Sequence, residues 1–162
     1  HLDTDERTAL SSTPQNMIIT QTQKAIASSS KIQELSFNHP MKYLVAKTTG
    51  SSDLTSAGNK IKLQINGTDV TDFKDADPHF TAIPMYYHTQ SSVSAGNHNV
   101  ATLLVPFCID TSKLQPTGSL NFSRLDSARI VSDTQTNGSD IYGVNYNILR
   151  IENGMGGLMY SN

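Results

Sequence analysis

Apolar residues in this chain come in short runs parted by clusters of Ser, Thr, Asn, Gly and Pro, with gaps too brief to hold a helical crossover. Parallel strands need such a crossover, whereas antiparallel strands can be joined by a tight turn. The spacing therefore selects an antiparallel β fold. The clearest strand is 60–66, where Ile61, Leu63 and Ile65 alternate with Lys62 and Gln64 and the run stops at Asn66-Gly67. Alternation of this kind buries one face and wets the other, and Asn-Gly marks a two-residue hairpin turn.

The run 100–109 is almost continuously apolar through Leu103, Leu104, Val105 and Phe107, as a central strand covered on both faces would be. Pro106 lacks a ladder donor, which predicts a bulge or a strand end. In 141–151, Tyr142, Val144, Tyr146 and Ile148 share one side before the phase slips to Leu149 and Ile151, which predicts a bulge or a change of sheet. Further strands are expected over 17–25, 31–37, 41–47 and 119–131, with a short piece within 83–88. The expected architecture is an all-β, eight-stranded antiparallel jelly-roll β-sandwich with a short N-terminal helix. That helix is placed at 4–10, where Asp3 caps the free amides and Glu6 completes a capping box, and a further turn is expected near 75–80.

The chain has 162 residues, enough for one domain with a single core. Its net charge of -2, from 12 basic and 14 acidic residues scattered along the chain, supplies no basic stripe to neutralise phosphates, so direct nucleic-acid binding is not expected. The lone cysteine, Cys108, forms no intrachain disulfide and asks for no oxidising compartment. No apolar run nears the roughly 20 residues that cross a bilayer, and the N-terminus lacks a signal-peptide layout. Without an initial Met, the chain reads as a piece of a longer polypeptide.

The connections fall into two sets. ASSS (27–30), TTGSSDLTSAGN (48–59), TQSSVSAGNHN (89–99) and SDTQTNGSD (132–140) are rich in Ser, Thr, Gly and Asn. Asn38-His39-Pro40, the segment 66–78 and DTSKLQPTG (110–118) carry Pro, Asp and Lys, which favour fixed turns. Alternate connections gather at the same end of a jelly roll, so one end is expected to be solvated and the other rigid.

Residues that suggest chemistry have plainer readings. Asp3-Thr4-Asp5 is followed by Arg7 rather than by the surroundings of a phosphoryl-transfer site, and helix capping accounts for it. His79, His88 and His98 are spaced too widely for a His-x-His metal site. Cys108 sits in an apolar run, where thiols are inert filler. The glycines from Gly154 to Gly157 are not followed by the Lys-Ser/Thr of a phosphate loop. No catalytic residue, metal or cofactor is assigned.

Two long stretches, GSLNFSRLDSARI (118–130) and IYGVNYNILRIENGMGGLMYSN (141–162), resemble the end of the major capsid proteins of phycodnaviruses and iridoviruses, which are large nucleocytoplasmic DNA viruses. LDTDER (2–7), LSFNHPMKYLV (35–45) and VPFCIDTSKLQPTG (105–118) agree in order, so the resemblance covers nearly the whole chain. The residues that carry it, read as structural, are Asn121, Phe122, Ser123, Arg124 and Asp126, then Asn145, Tyr146, Asn147, Arg150, Gly154, Gly156 and Gly157. The sequence departs from the family at His1, where Tyr is frequent, and at Glu152-Asn153, where Met-Ser is usual.

The resemblance implies the second of two tandem jelly rolls, with 1–15 as a linker carrying the short helix and 16–162 as the C-terminal capsid domain. It further implies a homotrimeric, pseudo-hexagonal capsomer in an icosahedral shell, assembled in the host cytoplasm. Neighbouring capsomers and minor capsid proteins are the implied partners, without membrane insertion, although an inner viral membrane is compatible beneath the shell. On that view, the loops 51–59 and 91–99 face solvent, the segment 154–162 is buried or at the base, and Arg124 and Asp126 form a buried or interfacial ion pair. Asn66, Asn121 and Asn137 each begin a glycosylation triplet, and Asn137, placed in a solvated loop, is the best of the three. The competing reading is a sugar-binding β-sandwich of lectin type. The chain has no Trp, and its tyrosines fall mainly in strands, so no stacking platform is evident. A cupin-like metal enzyme ranks third.

Overall fold

A computed structural model of the chain describes residues 2–47, 53–89 and 102–161. The expected loop at 91–99, His98 and the start of the loop at 51–59 lie outside the described residues. The strands are β1 (Gln15–Ala25), β2 (Ile32–Glu34), β3 (Pro40–Lys47), β4 (Lys60–Ile65), β5 (Thr68–Asp69), β6 (Lys74–Asp75), β7 (Thr102–Pro106), β8 (Leu120–Asn121), β9 (Ala128–Ser132), β10 (Ile141–Glu152) and β11 (Met155–Leu158). The helices are α1 (Thr4–Ser12), α2 (Ala76–His79) and α3 (Ala82–His88).

Two antiparallel sheets face each other. One runs β1-β10-β3-β7 and the other β2-β9-β4-β5, so eight strands lie on the two main paths; β6, β8 and β11 pair at their margins. This is the expected jelly-roll sandwich. Leu44 and Leu103 from the first sheet meet Ile61 and Ile130 from the second, each no more than 2% exposed. Burying such a side chain contributes about 1.5–3 kcal/mol, so these contacts dominate the fold.

Several sequence features act as expected. Asp3 and Glu6 form the capping box of α1. Asn66 and Gly67 adopt φ of 50° and 77°, which makes the two-residue turn from β4 to β5. β7 ends at Pro106. The phase slip expected between Ile148 and Leu149 is not found there, since β10 pairs with β1 without a break; the irregularity lies in the pairing with β3 between Val144 and Asn145, where Lys42 of β3 is the extra residue.

Three further expectations need correction. The strand piece within 83–88 is the helix α3: Pro84 would break a ladder, but it fits a first helical turn, and the fourth strand of the second sheet is β5 instead. The 119–131 strand is two strands in different sheets, because the Asn121 side chain accepts from the Ser123 amide and caps a 3-10 turn, Phe122–Arg124, between them. The 31–37 strand shortens to β2; beyond the bond from Leu35 N–H to Ala128 O, residues 35–38 leave the ladder.

β10 is the long strand of the molecule. Its whole length pairs with β1 on one side. Its other side pairs with β3 over Ile141 to Asn145 and with β11 over Leu149 to Glu152. The second half of β10 therefore leaves the sandwich and forms a three-stranded extension with β1 and β11.

Candidate assembly surface

Both motifs that carry the family resemblance serve to fix backbone. In the first, Phe122 is buried, with its ring 6.0 Å from Phe37 and 5.7 Å from Phe107. Its amide donates to His39 O, while the His39 amide donates to Ser123 Oγ at 2.7 Å. Asn66 reaches across from the β4-β5 turn, and its Oδ1 accepts from the amides of Asp126 and Ser127 at 2.8 and 3.2 Å. The expected pair of Arg124 and Asp126 is not buried within the chain: both side chains are exposed on this turn.

In the second motif, Asn145 and Asn147 are buried on the inward side of β10 and are satisfied by β1. Asn145 Oδ1 accepts from Gln23 Nε2 at 3.0 Å, and Asn147 Nδ2 donates to Gln21 Oε1 at 2.8 Å. Asn147 Nδ2 also donates to Tyr160 O at 2.8 Å, so it holds the C-terminal segment against the strand. Buried polar groups are retained where their partners are complete, and these fix the register of β1 on β10. Arg150 pairs with Glu152 at 2.9 Å on the surface.

The C-terminal segment, expected to be buried or at the base, is not buried within the chain. Residues 154–161 are exposed, because Asn153 and Gly154, at φ 53° and 77°, turn the chain into a hairpin that outruns the second sheet. Gly156 and Gly157 lie in β11 and need no positive φ. On this extension, Met17, Leu149 and Leu158 stand side by side across three strands. Met17 is 44% exposed, Leu158 46% and Met155 73%. Ile18 and Ile148 pair on the opposite face, beside a cavity of about 240 Å³ lined also by Pro40, Pro116, Tyr146 and Tyr160. The Tyr146 hydroxyl is buried and has no hydrogen-bond partner among the described residues. Patches of this kind mark contact sites in folded proteins. Sequence periodicity missed this surface, because the signal that makes a residue look like core is the same whether or not a facing sheet exists.

The polar end of the sandwich is less solvated than expected. Asn59 Oδ1 accepts from Ser132 Oγ, Thr134 N and Gln135 N, and its Nδ2 donates to Leu54 O. Asn137, expected in an open loop, is buried, with its Nδ2 donating to Gln33 Oε1 at 2.6 Å. The nitrogen a glycan would need is thus committed to the protein, and that expectation is set aside. Asn66 is exposed and Asn121 half-buried. Asp140 ties its loop to the end of β1 by a bond from Lys24 and to the segment after it by the Ala27 amide; the Lys24 bond comes first in holding its carboxyl below the ordinary value.

Groups with latent chemistry are locked. Burial pushes the Cys108 thiol up, and burial does the same to Tyr43 and Tyr146. A raised thiol stays protonated and is a poor nucleophile. His88 Nδ1 lies 3.0 Å from both Cys108 O and Ile109 O, so it is the donor and ties α3 to the following loop. His79 is exposed. Among the described residues, no group of three or more His, Cys, Asp or Glu is placed to hold a metal. No helix of the described residues is long and apolar enough to cross a membrane. Tyr86 and Tyr87, which lie on α3 and not in a strand, are exposed, but their rings meet at 86° and share no flat stacking plane.

The comparisons with known proteins fit this structural role. The family described as large eukaryotic DNA virus major capsid protein matches residues 6–157. The major capsid protein of Pyramimonas orientalis virus is 31% identical, over 100% of this chain and 47% of that protein. That of Paramecium bursaria Chlorella virus 1 is 26% identical, over 99% of this chain and 52% of that protein. The chain thus spans about half the length of these relatives. In fold, it matches a chain of the PBCV-1 virus capsid, quasi-atomic model, with a TM-score of 0.77 at 24% identity, over 99% of this chain and 55% of that one. With its sandwich, both sequence motifs and the match over 6–157 in agreement, the chain belongs to the family of large eukaryotic DNA virus major capsid proteins.

Proposed function

We propose that the chain is the C-terminal jelly roll of a capsid subunit, built to assemble into trimeric capsomers of an icosahedral virion and not to catalyse. The observation that carries this is the apolar extension of β1, β10 and β11 in a chain of capsid family. Met17, Ile18, Met155 and Leu158 stand exposed on a structured sheet, and a single chain has no reason to order greasy side chains against water. Obligate interfaces bury of the order of 2,000 Å² or more and are apolar at their centres, so such residues lose their exposure in an assembly. The unpartnered Tyr146 hydroxyl beside the neighbouring cavity fits the same reading, since a docked side chain can satisfy it. Helix α1 has no buried residue, which supports 1–15 as a linker from a preceding jelly roll. Neighbouring capsomers and minor capsid proteins are the remaining partners of this reading.

The test uses the full-length subunit in solution. Light scattering and electron microscopy are expected to show trimers with a hexagonal outline. The double variant Ile18→Asp, Met155→Asp is expected to remain folded by circular dichroism but to sediment as monomer. Trimers of undiminished stability in that variant would remove the extension from the interface, and a wild-type subunit that stays monomeric at high concentration would defeat the assembly reading itself.

A further inference from the structure

Three Asn-Gly pairs occur in the chain: Asn66-Gly67, Asn137-Gly138 and Asn153-Gly154. An Asn followed by Gly is open to an internal reaction, because no side chain shields the glycine nitrogen. That nitrogen attacks Cγ of the Asn; the new N–Cγ bond replaces the Cγ–Nδ2 bond, and ammonia leaves with the proton lost from the glycine nitrogen. Water then opens the cyclic succinimide at either carbonyl and yields Asp or isoaspartate. Water is the sole co-reactant.

Two of the pairs form a controlled comparison. Asn66 and Asn153 are both exposed, and each is the first residue of a two-residue hairpin turn. Their φ angles are 50° and 53°, and the glycines that follow both have φ of 77°. The two turns share their length and these φ angles, and they differ in what holds the carboxamide. Asn66 Oδ1 accepts from Asp126 N and Ser127 N, and the Asn66 amide itself donates to Ser127 O at 2.8 Å. Ring closure there must pull Cγ out of this clamp. The Asn153 side chain makes no hydrogen bond among the described residues. The third pair is closed by burial: Asn137 is 3% exposed, and its carboxamide bonds Gln33 and the Ser139 amide.

We propose that Asn153 is the spontaneous deamidation site of this domain, selected over Asn66 and Asn137 by the freedom of its carboxamide. Proximity governs intramolecular attack, and a side chain free to sample the attacking geometry reacts where a tethered one does not. Losing two hydrogen bonds at Asn66 corresponds to a rate roughly tenfold or more below that of Asn153. The product places a carboxylate next to Glu152 at the tip of the apolar extension, and the isoaspartate form adds a backbone methylene to a turn that sets the Glu152-Met155 register. The inference does not depend on the capsomer reading.

The experiment ages the purified, folded chain at mildly alkaline pH and follows each Asn-Gly peptide by mass spectrometry, with isoaspartyl methyltransferase labelling to identify the isomer. A parallel sample is aged in denaturant. The expected result is deamidation at Asn153 at least about tenfold faster than at Asn66 and Asn137 in the folded sample, with the three rates converging in denaturant. The Asn153→Ser variant is expected to remove the main modified species. Equal rates at Asn66 and Asn153 in the folded chain would overturn the proposal, as would an Asn153 that reacts only in denaturant, since the turn itself would then protect it.

Discussion

The two halves of β10 share one strand and one partner, β1, yet they live in different surroundings. Between Ile141 and Asn147 the inward side chains are covered, Ile141 by the core shared with the second sheet, and Ile141 and Asn145 are wholly buried. From Ile148 to Glu152 the strand continues with β1 and β11 beside it, but none of its side chains is buried, and Met17 and Leu158 next to it are nearly half exposed. β1 pairs with both halves along their whole length, so the bonds to that strand do not separate them. What differs is the presence of an opposing layer. A sheet needs something to cover its apolar face; the first half finds it within the chain, and on the proposed reading the second finds it in a neighbour.

Truncation of apolar side chains should expose this contrast most strongly. Leu44→Ala, at a wholly buried position of the sandwich, is expected to lower unfolding free energy by about 2–5 kcal/mol. Leu158→Ala on the extension is expected to change it by less than about 0.5 kcal/mol in the isolated chain. Urea denaturation of both variants checks the pair. A large loss in Leu158→Ala would mean that the extension belongs to the cooperative core.

Glycines of β10 and of its partner β11 give a second contrast. A Cβ at Gly143 would meet Met41 Cε at 3.0 Å and a Leu44 methyl at 3.2 Å. Overpacking of that kind costs about 1–3 kcal/mol, so Gly143→Ala should lower the denaturation midpoint. At Gly156 on β11 the nearest atoms would be 3.9 Å away, an ordinary contact. Gly156→Ala should leave the midpoint unchanged within about 0.5 kcal/mol. Equal losses at both positions would erase the distinction between the halves.

The smallest effect concerns pH at the polar end of the sandwich. The Asp140 carboxyl is held below its ordinary value by the bond from Lys24 and then by the Ala27 amide. A carboxyl lowered in the folded state contributes stability that is present above its unfolded value, about 3.9, and is lost as pH falls through the lower folded value. The denaturation midpoint should therefore hold steady at neutral pH and fall below about pH 4, and Asp140→Asn should flatten part of that fall. Both side chains are partly exposed, so the change is small. An unchanged acid limb in the variant would remove Asp140 from the account.

Much of this was legible from local rules. Alternation located β4, Asn66-Gly67 located its turn, Pro106 marked the end of β7, and Asp3 with Glu6 marked α1. Local rules failed where distant residues decided the outcome. The segment 83–88 read as a short strand, but Pro84 lies in the first turn of a helix. Asn137 read as a solvated loop residue because nothing nearby in sequence announces Gln33 as its partner. The family motifs were visible as patterns, whereas the clamp of Asn66 on the Asp126 and Ser127 amides was not.

The sequence by itself determined the class of fold, the positions of most strands and turns, and the family, because period-two patterning, turn chemistry and motif order are carried by neighbours along the chain. The tertiary structure alone decided which apolar rows are covered, which asparagines are buried, and where the 119–131 segment changes sheets. Those outcomes depend on what lies across a gap of one sheet spacing, about 10 Å, and a linear pattern holds no record of what stands on the far side.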